Sequence, residues 1–325
     1  MYWYSKKLGK KFYYKIPALR ADPNVTFHLD DIYDDYDWSV EPLESWDEIK
    51  WERAWNLRDK AGYLRLWYSG GSDSQTILNT FIKHNIPLDE IGIWRLSPIN
   101  DFNTPANDEI NKAALPYLET IKDKLHPSTK IVLYDVGYEQ LKYFYTNHSD
   151  PNTHNNFLDF RPCTSVGMHK LFPNVNKKLN LLNIDGLEKP KVGVDKNGPF
   201  WYYSDANLLM HIVDPKEKIP NVHFFLDPKI HCKQIHMKIH NDYYDDDIIR
   251  DDIYKNFSLG KATYKTVAPK TLLSLSEAKG NSKSYHLYKQ YIESFDAFDV
   301  NESLLLDINN PQIGFKHILT NKYYL

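Results

Sequence analysis

The run Ser69-Gly70-Gly71-Ser72-Asp73-Ser74 gathers three hydroxyls, two glycines and a carboxylate into six consecutive positions, a set suited to gripping phosphate. Two adjacent glycines let the backbone turn sharply and approach a ligand with no Cβ in the way, so successive N–H groups can converge on one anion. Ser69, Ser72 and Ser74 add hydroxyl donors. Asp73 would repel a bare phosphate, yet it suits a hard Mg²⁺ ion that bridges phosphate oxygens, which makes it the expected metal ligand. The run is not a Walker A loop, because G-x-x-x-x-G-K-[ST] is absent, and it does not match G-x-G-x-x-G.

Such a loop works only if a strand delivers it and a helix carries its amides. Residues 64–68 predict the strand, and residues 74–84, with Ile77, Leu78, Phe81 and Ile82 at helical spacing, predict the helix. The positive end of that helix favours phosphate at its N-terminus. Short apolar runs then alternate with amphipathic ones: strands over 91–96, 131–136, 179–184 and 222–226, and helices over 107–125, 138–145, 164–172 and 228–241. This alternation predicts βαβ units and a parallel sheet. A helix is also expected over 45–60.

At Ser69-Gly70-Gly71-Ser72-Asp73-Ser74 the sequence resembles the PP-loop ATP pyrophosphatases, also called adenine nucleotide alpha hydrolases, whose signature SGGxDS it matches at every fixed position. The resemblance covers roughly residues 62–240. It implies an α/β fold with a HUP-type Rossmann-like parallel sheet, with ATP and Mg²⁺ at the loop and cleavage of ATP to AMP and pyrophosphate. Ser97, after the second strand, would sit near the adenosine. The additions on either side are expected to be mostly helical, giving an N-terminal cover over 1–60, the ATP-binding domain over 61–245 and a C-terminal region over 246–325.

Charge that develops on the α-phosphate and pyrophosphate needs cations that the loop lacks. Lys189 and Lys191, after the turn at Asp185-Gly186, and Arg161, ahead of a short helix, are the candidates; ordinary surface lysines and a plain salt bridge are the competing readings. Cys163 invites comparison with sulfur-transferring members of the superfamily, although a lone cysteine is more often a small buried hydrophobe. Cys232, His236 and His240 recur every four residues, but three such positions rarely converge on one metal, so packing or substrate contact is expected.

The 325 residues carry a formal net charge of −3, which gives no global field for nucleic acid, and two cysteines with no CxxC pair, which suggests neither disulfides nor a zinc ribbon. No run of about 18 apolar residues occurs, and a cytoplasmic, membrane-free enzyme is expected. The leading reading is adenylation of a carbonyl or amide oxygen of a small molecule or nucleobase, followed by attack of a nitrogen nucleophile. The alternatives are a sulfurtransferase or adenylylsulfate-reductase-like enzyme, and an ATP-binding protein without turnover.

Overall fold

The computed structural model describes residues 1–13, 15–29, 31–96, 107, 110–136, 180–186, 190–203, 221–243, 320 and 322–325. Ser97, Arg161, Cys163, Lys189, the helices expected over 138–145 and 164–172, and residues 246–319 of the C-terminal region lie outside the described residues.

The N-terminal segment departs from the mostly helical expectation. It forms β1 (Tyr2–Ser5), β2 (Lys10–Phe12) and β3 (Thr26–His28), an antiparallel sheet in the order β2-β1-β3, beside the short helices α1 (Lys15–Ala21) and α2 (Asp31–Asp34). Alternation decides this: Trp3 and Phe27 are buried while their neighbours along the strands are less so, the period of two that a sheet with one covered face requires. Helix α3 (Trp46–Lys60) follows, fixed at its start by a capping box in which Ser45 and Glu48 satisfy each other's backbone N–H groups.

The central sheet is all parallel. Its strands are β4 (Tyr63–Trp67), β5 (Glu90–Leu96), β6 (Lys130–Val136), β7 (Leu181–Asp185) and β10 (Asn221–His223), in the spatial order β10-β7-β4-β5-β6. The chain steps outward from β4 to β5 and β6, then returns to the other side of β4 for β7 and β10. With helices α4 (Ser72–Lys83) and α5 (Leu115–Ile121) beside it, this is an α/β architecture of Rossmann-like kind. A π-helical turn, Ile110–Ala114, leads into α5, where a proline in the first turn has no N–H to offer the preceding turn.

Three further strands were not foreseen: β8 (Lys191–Asp195) and β9 (Gly198–Tyr202), which form an antiparallel hairpin, and β11 (Tyr323–Tyr324), which pairs with β9. Helix α6 (Pro228–Tyr243) matches the expected span from residue 228. One apolar core joins Leu64, Leu66, Ile91, Ile93 and Ile184 to Ile77, Leu78 and Phe81 of α4 and Ile49 and Leu57 of α3. A second core joins Trp3, Phe27, Tyr33 and Trp38 to Trp201 and Tyr203 and to Cys232 and Ile235 of α6. No helix among the described residues is long and apolar enough to cross a membrane.

Candidate functional site

In an open parallel sheet, ligands sit outside the carboxyl ends of the strands where the strand order reverses. Here the reversal falls between β4 and β7, and the run from Ser69 to Ser74 leaves the carboxyl end of β4 at that place.

The loop is closed by its own hydroxyls. Ser69 Oγ lies 3.2 Å from Ser74 Oγ and accepts from the Gly71 N–H at 3.2 Å, the Ser69 N–H donates to Ser74 Oγ at 3.3 Å, and Ser74 Oγ donates to the Gly71 carbonyl at 3.1 Å. Ser69 and Ser74 thus brace the bend from within, and the donors left to meet an anion are chiefly backbone amides. Gly71 is the N-cap of α4 and makes no side-chain cap hydrogen bond, so no capping side chain from that position stands over the helix end.

Two glycines make the loop's surroundings possible. Gly70 has φ +81°, and a Cβ there would lie 2.7 Å from the backbone N of Ala114. Gly186, one residue past β7, would place a Cβ 2.9 Å from Ser74 N and 3.0 Å from the Asp73 carbonyl carbon. The bend is therefore held between the π-helical turn on one side and the end of β7 on the other, with no space for a side chain at either contact.

Asp73 is half-buried in the first turn of α4. Among the described residues no three or more His, Cys, Asp or Glu side chains group as a metal site. A single carboxylate fits Mg²⁺ that takes most of its ligands from nucleotide phosphates and water, and would not by itself make an all-protein cage.

Of the expected cations, Lys191 opens β8 and pairs in register with Tyr202, five positions along the chain from Gly186. Cys232 and His236 do not converge on a metal. The Cys232 thiol donates to the Val40 carbonyl at 3.3 Å, His236 Nε2 lies 2.9 Å from the Trp38 carbonyl, and Lys233 between them reaches the Pro42 carbonyl at 3.0 Å. This face of α6 clamps the segment around residues 38–42, as packing rather than ligation. Burial, then the carboxylates of Glu41 and Asp37, push the Cys232 thiol up to about 12, far from a reactive thiolate.

Residues that motif reasoning passed over lie on the face of the sheet opposite α3 and α4. Arg65 Nε donates to Glu90 Oε1 at 2.6 Å and its Nη1 to Asn183 Oδ1 at 3.2 Å; Tyr63 and Tyr134 hydroxyls donate to Glu90 at 2.8 and 2.5 Å. The Arg65 guanidinium also lies over the rings of Trp67 and Tyr134. Burial alone would raise the Glu90 carboxyl, but the Arg65 guanidinium and the two phenols reverse this and hold it below the ordinary value of 4.5.

Further toward the carboxyl edge on the same face, Asp185 and His223 pair in register on β7 and β10. His223 Nδ1 stands 3.3 Å from both the Asp185 Oδ1 and the Asp185 carbonyl oxygen. Beyond them His231 of α6 meets the Tyr203 hydroxyl at 2.7 Å, and burial, with His223 and Arg53 adding to it, holds that imidazole neutral. A signal for these residues existed in the alternation Leu64-Arg65-Leu66, Leu182-Asn183-Ile184-Asp185 and Val222-His223. Strands buried on both faces usually read as near-continuous apolar runs, so a polar residue at every second place marks a face with another task.

A separate cleft of about 20 Å³, room for one water, lies between Ile82 and Asn85 of the α4 end and Leu125 and Thr129 ahead of β6. It is at the amino end of the sheet, away from the loop. No protein-family model matches the chain, and no curated protein matches it.

Proposed function

We propose that this chain is an ATP-dependent enzyme of HUP-type, PP-loop kind. It forms AMP and pyrophosphate by adenylating a carbonyl or amide oxygen of a small molecule or nucleobase, which a nitrogen nucleophile then attacks. One observation carries the reading: the braced bend from Ser69 to Ser74 stands at the reversal of strand order, squeezed between Ala114 and Gly186, with the start of α4 behind it.

Backbone amides of the bend and of the first turn of α4 bind the phosphates, and the helix dipole adds to their attraction. The acceptor oxygen attacks the α-phosphorus, the bond from that phosphorus to the bridging oxygen breaks, and pyrophosphate leaves. The nitrogen nucleophile then forms a bond to the activated carbon while AMP departs with the former acceptor oxygen. Asp73 would hold Mg²⁺, which when bound neutralises phosphate charge. Lys191, together with Lys189 and Arg161, would supply cations to the leaving pyrophosphate, and Ser97 would lie against the adenosine. The burial of Cys232 gives no support to a sulfur-transfer reading through that residue.

The test is nucleotide turnover with ATP labelled at the α- or γ-phosphate, scored together with binding of α,β-methylene-ATP, which cannot be split at that position. Label is expected in AMP and pyrophosphate, and Asp73→Asn is expected to lower the rate by about a hundredfold or more at unchanged melting temperature. Release of ADP and orthophosphate, or failure of the wild type to bind the analogue, overturns the proposal. Binding with no AMP formed favours a nucleotide-binding protein without turnover.

A further inference from the structure

The buried pair at the ends of β7 and β10 is a poor stabilising device. A carboxylate and an imidazole removed from water lose hydration that one contact at 3.3 Å does not fully replace, and apolar residues of similar size often do as well at such places. The same two strands carry Leu182, Ile184 and Val222 against the apolar core on their other face. The polar pair therefore has a position rather than a packing role to explain it.

That position is next to the loop. Asp185 directly precedes Gly186, the residue whose contact with Ser74 and the Asp73 backbone leaves no room for a side chain. The backbone around the pair is tied on several sides: the Phe224 N–H donates to the Asp185 carbonyl at 3.0 Å, and Arg53 donates to the carbonyls of Phe224 at 3.2 Å and His223 at 3.4 Å. His223 Nδ1 hydrogen-bonds the Asp185 main-chain carbonyl, and the same nitrogen stands 3.3 Å from the carboxylate Oδ1, so the imidazole lies against the side chain and limits where it can swing. His231, held neutral, adds no positive charge beside it.

We propose that Asp185 is the carboxylate that orients the nucleophile of the reaction and takes its proton, and that His223 is the positioning residue that aims it. The assignment rests on the ATP-cleaving reading of the loop. When the nitrogen nucleophile forms its bond to the adenylated carbon and AMP leaves, the surplus N–H proton passes to Asp185 and from there to solvent. When no acceptor is bound, water takes the place of the acceptor oxygen: its oxygen bonds to the α-phosphorus, the bond from that phosphorus to the bridging oxygen breaks, pyrophosphate leaves, and the water proton passes to the same carboxylate.

The experiment uses the full chain with Mg-ATP alone, so that water is the nucleophile, and follows AMP formation beside affinity for α,β-methylene-ATP. Asp185→Asn and His223→Gln are expected to bind the analogue as the wild type does and to form AMP more slowly, by about a hundredfold for Asp185→Asn and by about tenfold for His223→Gln. Added formate is expected to restore part of the rate to Asp185→Ala, a response that a purely structural carboxylate would not give. Melting temperatures within a few degrees of the wild type show that the variants fold. Variants that bind the analogue and turn over at the wild-type rate overturn this assignment and leave the loop reading standing. A wild type that fails to bind the analogue, or binds it and forms no AMP, overturns the enzyme reading and this assignment with it.

Discussion

The two faces of the central sheet are built from the same strands and to opposite rules. Toward α3 and α4, Leu64, Leu66, Ile91, Ile93 and Ile184 meet Ile77, Leu78 and Phe81 in a core without a charged group among its members. On the other face the alternate positions are Arg65, Glu90, Asn183, Asp185 and His223, all buried. The first face gains from removing apolar area from water, a non-directional force that many sequences satisfy. The second gains only where donor and acceptor meet in good geometry, as Arg65 meets Glu90 and Asn183, so it is specific and fragile. A protein retains such an arrangement where charge at a fixed place is useful, and here the polar face leads to the carboxyl edge beside the loop.

The comparison can be broken by substitution, and the largest effect is expected on the polar face. Glu90→Ala strands the Arg65 guanidinium, which is 1% exposed, and is expected to cost about 3–5 kcal/mol of unfolding free energy, read as a lower denaturant midpoint. Replacing Arg65 and Glu90 together by Met and Leu should return most of that loss, because no buried charge is then left alone. A double variant no better than the single one would show that the polar face is held by something other than this pair. On the apolar face Leu66→Ala is expected to cost about 3 kcal/mol through lost burial and the cavity left behind. No second substitution of opposite kind should rescue it.

A pH series sharpens the contrast without changing the core. Glu90 titrates below its ordinary value of 4.5 in the folded protein. Its contribution is therefore complete above the unfolded value and fades as pH falls through the lower folded one. The stability gap between wild type and Glu90→Gln should be constant from pH 8 to pH 6 and shrink below about pH 4; a gap that widens in acid would contradict the direction of the shift. The smallest effect belongs to Ile93→Val, about 1 kcal/mol with no change in affinity for α,β-methylene-ATP.

Much of the framework was legible along the chain because local interactions decide it. The strand over 64–68 became β4 at Tyr63–Trp67, the helix over 74–84 became α4 at Ser72–Lys83, and the strands over 91–96 and 131–136 shifted by a single residue at one end. The Ser69 to Ser74 bend was legible because glycine spacing and serine placement constrain the backbone in a short stretch. The N-terminal sheet and the β8–β9 hairpin were not. Their strands are short, and Trp3, Phe27 and Trp201 gain their meaning only from one shared aromatic core assembled from distant segments. Cys232 and His236 show the converse: a spacing of four gave a shared helical face, but what that face meets was set by the segment around residues 38–42.

Residues adjacent in the chain were enough to read the βαβ order, the Ser/Gly bend after the first parallel strand and the helix that follows it. The reversal of strand order between β4 and β7, the closure of Gly186 on the loop and the meeting of Asp185 with His223 arise from the folded sheet. Such relations join residues dozens of positions apart, and they are set by sheet register and close packing, which no local pattern encodes.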